Sequence, residues 1–210
     1  MFAVTGKILW VDLTRGSWTI EDVPSQVYEN FLSGMGLASY YLYRRIPPKT
    51  DPLGPENVLA FVSGLLTGTG CMATGRWMAA AKSPLTGTWG DTNCGGTLSP
   101  AIKQCGFDGI FFTGISPHPV YLYIGLGQIA LREASNMWGK DTRETESALQ
   151  TAHSGKDLSI ASIGPAGEKL SLISGIVNDG GRMAARSGLG AVMGSKKLKA
   201  LALQGVRPVQ

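Results

Sequence analysis

Gly95-Gly-Thr-Leu-Ser-Pro-Ala-Ile-Lys103 is one of two stretches that decide the fold, and the other is Ser187-Gly-Leu-Gly-Ala-Val-Met-Gly-Ser-Lys196. Each is a glycine loop that opens a short apolar helix. Each then leads to a hydrophobic strand, residues 109–114 after the first stretch and residues 199–205 after the second. Two further strands precede each stretch. This repeated order predicts an α+β fold of two related β-sheets with short helices and an approximate internal two-fold, as expected of a duplication.

Turn residues and apolar patterns divide the rest of the chain into elements. A hairpin opens it at residues 7–22. Ser25 caps a helix predicted to continue to Arg45, and Pro47 stops it because proline lacks the backbone donor that a helix needs. The other predicted elements are strands 58–62, 77–81, 109–113, 159–163, 170–177 and 198–203, a hairpin at 120–132, helices 98–104, 142–153 and 189–195, and glycine-rich loops at 64–75, 86–96 and 178–188.

The composition is that of a globular protein. Of the 210 residues, 43% are hydrophobic and 16% are charged, whereas disordered chains combine low hydrophobicity with high charge. So low a charged share is expected of a surface that a partner domain covers. The 29 glycines are about twice the usual share and cluster in loops, where they permit close backbone approach to a ligand. We treat residues 1–210 as one domain.

The charge pattern indicates a small anionic ligand. The net charge is +4, yet the basic residues are scattered, apart from Lys196, Lys197 and Lys199. A nucleic-acid surface is therefore disfavoured, because it needs a dense basic stripe with interleaved aromatic residues. The sequence contains no membrane-spanning stretch and opens without a signal peptide, so we expect a cytoplasmic protein that does not bind a membrane.

Two glycine loops contain candidate anion-binding residues. One is Asn93-Cys-Gly-Gly96, and the other is Gly180-Gly-Arg-Met-Ala-Ala-Arg-Ser-Gly188. Each precedes a predicted helix, whose N-terminus offers unpaired N–H groups and a positive dipole. Arg76, Arg182 and Arg186 would add bidentate phosphate contacts. The pattern predicts a site for one or two phosphates, and the alternative is a pair of ordinary tight turns with solvated arginines. Neither a Walker loop nor a dinucleotide-binding G-x-G-x-x-G is present.

Residues for acid–base or nucleophilic catalysis are few. His118 lies between two prolines and His153 lies near a helix end, so both are expected to face solvent. Cys94 flanks the first loop and is expected to be a buried thiol more than an activated nucleophile. Trp77 and Trp89 flank the glycine loops and are candidates for a cavity wall. We assign no catalytic residue to this chain.

A set of motifs surrounds these loops: Gly75-Arg76, Lys82-Ser-Pro-Leu-Thr-Gly87, Asn93-Cys-Gly-Gly96, Trp138-Gly-Lys140, Ile163-Gly-Pro-Ala-Gly-Glu168, Asn178-Asp-Gly-Gly-Arg182 and Gly190-Ala-Val-Met-Gly-Ser-Lys196. Together they resemble the N-terminal domain of the tungsten-containing aldehyde:ferredoxin oxidoreductases. The resemblance covers nearly the whole chain. Each motif alone is modest, but the combination is highly specific.

The resemblance implies a cofactor and the residues that contact it. In that family the first domain forms a base of two related sheets under a bis-pterin tungsten cofactor (tungstopterin), and a magnesium ion bridges the phosphates of the two pterins. Main-chain oxygens at Asn93 and Met183 would ligate the magnesium, a hard cation that prefers oxygen donors. Methionine at 183 does not prevent this, because the contact uses the backbone. The positions that match the family's cofactor contacts are Arg76, Asn93, Gly95, Arg182, Met183 and Ala185.

The resemblance also implies parts that this chain lacks. The family's [4Fe–4S] cluster is held by four cysteines of later domains, which also supply the substrate cavity. Here Cys71, Cys94 and Cys105 include no C-x-x-C pair, so neither a cluster nor a disulfide framework is predicted. The implied enzyme oxidises aldehydes to carboxylates with ferredoxin as acceptor, and this chain is expected to be inactive without downstream domains or a partner subunit. The alternatives are a stand-alone pterin-phosphate binding or carrier module, and part of an aromatic acyl-coenzyme A reductase of the same family.

Overall fold

The structure, a computed structural model, describes residues 3–153 and 158–209. In this part of the chain, twelve strands form two sheets, accompanied by six helices. The strands are β1 (Lys7–Asp12), β2 (Ser17–Asp22), β3 (Leu59–Ser63), β4 (Trp77–Lys82), β5 (Trp89–Cys94), β6 (Gly109–Thr113), β7 (Val120–Gly125), β8 (Gln128–Glu133), β9 (Ser159–Ser162), β10 (Ile176–Asn178), β11 (Arg182–Ala184) and β12 (Leu198–Gln204). The helices are α1 (Ser25–Phe31), α2 (Met35–Arg45), α3 (Leu98–Gln104), α4 (Thr142–Ala152), α5 (Pro165–Glu168) and α6 (Leu189–Ser195). None of these helices is both long enough and apolar enough to cross a membrane.

The two sheets have the same topology. The first has the strand order β2-β1-β6-β3-β4-β5, and the second has the order β8-β7-β12-β9-β10-β11. In each sheet one pair is parallel, β1 with β6 and β7 with β12, and the other neighbours are antiparallel. A short helix precedes the last strand of each half, α3 before β6 and α6 before β12. The predicted pair of related sheets is confirmed.

A single apolar core joins the halves. Buried side chains from both sheets form one cluster, and α3 and α6 each contact strands of both sheets. Two smaller clusters lie elsewhere, where α1 and α2 pack on the first sheet and α4 packs on the second. Each fully buried aliphatic or aromatic side chain contributes roughly 1.5–3 kcal/mol. Neither sheet buries its share of the common cluster without the other.

The helix predicted from Ser25 to Arg45 is two helices. Leu32 and Gly34 have φ angles of 59° and 61°, which separate α1 from α2. Pro24, not Ser25, is the N-cap of α1, and no side chain caps it. The apolar contacts continue on both sides of the break, so the sequence pattern does not show it.

Other differences concern edge strands and one turn. The predicted loop 86–96 contains β5, and the predicted loop 178–188 contains β11. Both are edge strands made largely of polar or small residues, so hydrophobic alternation does not indicate them. The strand predicted at 170–177 begins only at Ile176, after α5 and a turn. The helix predicted to His153 ends at Ala152, with His153 as its C-cap.

Candidate functional site

The edge strands β5 and β11 bring the two sheets together at a junction that we call the seam (residues 91–97 and 178–187). The two strands belong to different sheets, and side chains make the connection. Thr92 accepts a hydrogen bond from the backbone N–H of Arg186 (3.2 Å). Ser187 donates to the carbonyl of Asp91 (3.0 Å), and Ser83 donates to the carbonyl of Ser187 (2.8 Å). The seam contains five of the six predicted cofactor residues, and the sixth, Arg76, reaches it from the start of β4.

Four of the predicted cofactor residues form two equivalent pairs. In the sheet register, Asn93 of β5 lies opposite the second residue of β4, and Met183 of β11 lies opposite the second residue of β10. Because β4 and β10 occupy the same place in matching sheets, Asn93 and Met183 are equivalent positions of the two halves. The same register, continued by two residues, makes Gly95 equivalent to Ala185. The predicted magnesium ligands are thus related by the approximate two-fold.

The two predicted arginines meet at residues 93–95 from opposite halves of the chain. Arg76 donates from Nε to Oδ1 of Asn93 (2.8 Å) and from Nη2 to the main-chain oxygen of Asn93 (3.3 Å). Nη1 of Arg182 lies 3.8 Å from the place that a Cβ on Gly95 would occupy. Both arginine side chains are exposed. Both guanidinium groups therefore lie close to the segment of residues 93–95.

The Cys94 thiol lies between these charges. Its burial raises its pKa, and this is the largest effect. The backbone N–H of Gly95 and the positive charges of Arg76 and Arg182 act in the opposite direction. Because both arginines act on the same thiol, positive potential is concentrated at the end of β5. Cys94 is a buried thiol with a raised pKa, which does not favour a nucleophile.

Groups of the chain itself bind some of the backbone N–H groups that the sequence predicts to bind an anion. At α3, the N–H of Thr97 donates to Oδ2 of Asp179 (2.6 Å), so a carboxylate of the chain itself takes the anion position. At α6, the N–H of Gly190 donates to the carbonyl of Ser174 (3.1 Å). In the second loop, the N–H of Gly180 donates to Glu146 (2.9 Å). Positive charge for a bound anion therefore comes from the arginines.

Sequence reasoning missed the role of Asn178 and Asp179. Nδ2 of Asn178 donates to the carbonyl of Gly95 (3.1 Å), and Oδ1 of Asp179 accepts from the hydroxyl of Thr97 (2.7 Å). A local signal existed, because an Asn-Asp-Gly-Gly run favours a tight turn, and Asp179 adopts a left-handed φ of 46°. Nothing local indicates that this turn reaches the other half of the molecule.

The side chains of Met183 and Ala185 project from the face of β11 that is opposite the Arg182 side chain. Side chains alternate along a strand, so these two lie opposite Arg182 and the buried Ala184. Gly175 leaves room for Met183, because a Cβ at Gly175 would lie 2.6 Å from the terminal methyl carbon of that methionine. The contacts predicted for residue 183 use its main chain, which the side-chain direction does not change.

Other sequence candidates lie away from the seam or inside the core. Trp77 is fully buried and stacks on another core ring, so it does not line a cavity. His153 is buried against Tyr123, with ring centroids 4.1 Å apart, because the end of α4 packs on the second sheet, and it does not face solvent. Trp89 is partly exposed and lines a cavity of about 700 Å³. His118 is exposed, as expected.

The seam fits a ligand that carries two anionic groups and a hard cation. Two exposed guanidinium groups suit the anions, and main-chain oxygens at Asn93 and Met183 are the donor type that magnesium prefers. Space is available, because no atom lies within 4 Å of the Cβ position of Gly75, Gly180 or Gly181. Among residues 3–153 and 158–209, no group of three or more His, Cys, Asp or Glu side chains is arranged to hold a metal ion. A cation here would depend on main-chain and ligand oxygens.

Comparison with known proteins identifies the class. The sequence model of the aldehyde ferredoxin oxidoreductase N-terminal domain matches residues 8–205. A tungsten-containing aldehyde ferredoxin oxidoreductase of Thermococcus kodakarensis is 44% identical over 209 residues, covering 100% of this chain and 34% of its own length. The protein of the same name from Pyrococcus abyssi is 44% identical over 210 residues, covering 100% of this chain and 35% of its own length. The solved active site complex of a benzoyl coenzyme A reductase with 1,5-dienoyl-CoA matches with a TM-score of 0.96 and 36% identity over 99% of this chain and 32% of its own.

The family match over nearly the whole chain and the likeness of the two-sheet fold agree with each other. The chain belongs to the aldehyde ferredoxin oxidoreductase N-terminal domain family. It spans about a third of the length of the relatives that it matches.

Proposed function

We propose that this chain is the domain of an aldehyde:ferredoxin oxidoreductase that holds the phosphates of a bis-pterin tungsten cofactor. The equivalence of Asn93 and Met183 on the edge strands of two matching sheets carries the proposal. A site built from two equivalent halves suits a ligand with two equivalent halves, here two pterins with one phosphate each. The names of the tungsten-containing relatives support this cofactor.

The seam residues divide the work of binding. Arg76 and Arg182 bind phosphate oxygens through their guanidinium groups. Main-chain oxygens of Asn93 and Met183 ligate a magnesium ion between the phosphates, and the small residues Gly95 and Ala185 that follow let the backbone approach the ligand. In the structure the Arg76 guanidinium donates to Asn93, so it exchanges this amide partner for a phosphate when the cofactor binds.

The reaction needs more than this chain. When bound, the cofactor supplies the two-electron oxidation of an aldehyde to a carboxylate, while these residues supply its position and a positive potential. A [4Fe–4S] cluster, the substrate cavity and the contact with ferredoxin belong to the further length that the relatives have, or to a partner subunit. We place the whole enzyme in the cytoplasm.

A reductase of an aromatic acyl-coenzyme A is the second candidate. It is favoured by the likeness to the benzoyl coenzyme A reductase complex, at 36% identity and a TM-score of 0.96. Both candidates use the same seam, because the substrate is bound outside this domain. Assays of the whole enzyme with an aldehyde and with an aromatic acyl-coenzyme A distinguish the two.

Arginine replacements test the phosphate site in the full 210-residue chain. We expect Arg76→Ala and Arg182→Ala each to weaken the binding of magnesium tripolyphosphate by about 1.5–3 kcal/mol, the range for hydrogen bonds to charged groups. The free energy of unfolding should change little, because both side chains are exposed. Arg15→Ala is the matched control, since Arg15 is an exposed arginine in the turn between β1 and β2. Calorimetric affinities that are equal in all three variants would reject the proposal.

A further inference from the structure

We propose that Asn178, Asp179 and Thr97 form a clasp between the two halves that sets the spacing of Arg76 and Arg182. These three are positioning residues, which hold the phosphate-binding groups in place without binding the phosphates. The inference deepens the proposed function and rests on it.

The clasp consists of side-chain bonds that cross from one half to the other. Both carboxylate oxygens of Asp179 accept from Thr97, one from its N–H (2.6 Å) and one from its hydroxyl (2.7 Å). Asn178 donates to the carbonyl of Gly95 (3.1 Å). The Thr97 hydroxyl also accepts from Ser159 of β9 (2.8 Å), so the second half holds it from two sides.

These bonds connect the two arginines through a short series of contacts. Asn178 is the register partner of Arg182 in the β10–β11 pair. Asn178 also binds the carbonyl of Gly95, which lies two residues after Asn93. Asn93 in turn accepts from Arg76 before the cofactor binds, and its strand β5 pairs with β4, which begins directly after Arg76. The separation of the guanidinium groups therefore depends on whether the clasp is closed.

The backbone on both sides is adapted to the clasp. Gly96 has a φ of 113°, and a Cβ there would lie 1.9 Å from Oδ2 of Asp179 and 2.5 Å from Nδ2 of Asn178. Only a glycine leaves the space that these side-chain atoms occupy. Asp179 itself adopts a left-handed φ of 46°, which aspartate tolerates better than most residues. Both features serve contacts with the other half.

Because Asp179 is charged, a positioning role and a purely electrostatic role predict opposite effects of a neutral substitution on phosphate binding. A carboxylate beside an anion site opposes anion binding, because like charges repel. Electrostatics alone predicts that any neutral residue at position 179 tightens phosphate binding. A positioning role predicts that binding weakens when the clasp is lost.

Two neutral substitutions at position 179 separate these effects in the full 210-residue chain. Asp179→Asn removes the charge but keeps an oxygen that accepts from Thr97, whereas Asp179→Ala removes both. The probes are magnesium tripolyphosphate, whose phosphates can engage both arginines, and orthophosphate, which needs only one. Backbone amide shifts in NMR titrations give both affinities and show whether each variant is folded.

We expect Asp179→Ala to bind magnesium tripolyphosphate about tenfold more weakly than Asp179→Asn, as for the loss of one hydrogen bond between neutral groups. The two variants should bind orthophosphate equally. Thr97→Val should also weaken the binding of magnesium tripolyphosphate, and Thr97→Ser, which keeps the hydroxyl, is the conservative control. If Asp179→Ala does not fold, the comparison of these two variants tests the positioning role. Equal tripolyphosphate affinities of the alanine and asparagine variants, or an equal loss for orthophosphate, would overturn the positioning role alone. If the unmodified chain does not prefer tripolyphosphate to orthophosphate, the two-phosphate site fails, and the inference fails with it.

Discussion

At the scale of single residues, two buried lysines near the end of the chain hold their ammonium groups against main-chain oxygens. Lys196 donates to the carbonyl of Gly114 (3.1 Å), and Lys199 donates to the carbonyl of Lys140 (2.8 Å) and to the carboxylate of Glu168. Burial lowers the pKa of Lys199, and the carboxylate of Glu168 acts in the opposite direction. For Lys196, burial lowers the pKa to about 8, which makes it a probe of stability.

Lys196→Met should change how stability depends on pH. The folded-state pKa of Lys196, about 8, lies below the ordinary value of 10.5, so between these values the unfolded chain binds more protons and stability rises with pH. The variant lacks this titration. Between pH 8 and pH 10.5, we expect the free energy of unfolding of the unmodified chain to rise by about 3 kcal/mol relative to that of the variant. Urea unfolding measures the difference, with Lys197→Met, at the less buried neighbour, as the control. A difference that stays constant over this range would contradict the assignment.

At the scale of elements, α6 packs against α5 and the segment before β10 through glycines. A Cβ on Gly194 would lie 2.0 Å from the carbonyl oxygen of Gly167 in α5, and a Cβ on Gly190 would lie 2.5 Å from the carbonyl oxygen of Gly175. Carbonyl groups of the neighbouring backbone therefore occupy the space of side chains. This close contact explains glycine in a helix, where it is otherwise unfavourable.

Gly194→Ala tests that contact. In an open helix interior, alanine is more stable than glycine by about 1 kcal/mol. Here we expect a loss of about 1–3 kcal/mol in the free energy of unfolding, because the added methyl group overlaps a fixed carbonyl. Gly164→Ala is the control, since the nearest atom to its Cβ lies at 3.6 Å, an ordinary contact. Chemical denaturation compares the two variants, and a stabilised Gly194→Ala would show that α5 and α6 do not touch.

Elements differ in how far the sequence predicts them, and the reason is local. Helices α3 and α6 and strand β6 have the predicted bounds, because glycine or proline encloses a short apolar run. The sequence does not indicate strands β5 and β11, because edge strands of small and polar residues lack the alternation of hydrophobic and polar residues that marks a strand. The sequence predicts Arg76 and Arg182 as cofactor contacts, but it does not indicate the bond from Asn178 to Gly95, which spans 83 residues. Such a contact exists only once both sheets have formed.

At the scale of the whole molecule, large apolar side chains remain exposed in the seam and on segments that lead to it along the chain. Met72 is 94% exposed, Ile173 is 75% exposed and Met183 is 48% exposed. Met72 lies in the turn-rich segment before Arg76, and Ile173 lies just before β10. Apolar groups in such positions are typical of surfaces that another domain covers. The relatives, about three times longer, have the additional length that such a cover needs.

The 210-residue chain supplied with the cofactor should oxidise no aldehyde. Its cysteines are an exposed Cys71, a buried Cys94 and a partly buried Cys105, which are not grouped as cluster ligands. Electrons from the substrate would have no iron–sulfur centre to enter. Aldehyde-dependent reduction of a viologen dye measures the activity, with a chain of the relatives' full length as the positive control. Turnover by the short chain alone would contradict the proposed division of labour.

Each sheet is made from one uninterrupted length of chain, residues 7–113 for the first and residues 120–204 for the second. A single cut beside the exposed His118 would leave every strand pair intact and yet divide the core and the seam between two fragments. Folding would then become a bimolecular event, and its midpoint would depend on concentration. Affinity for phosphate would appear only as the fragments associated. In the intact protein, residues 114–119 act as a tether that gives each half a high effective concentration of the other.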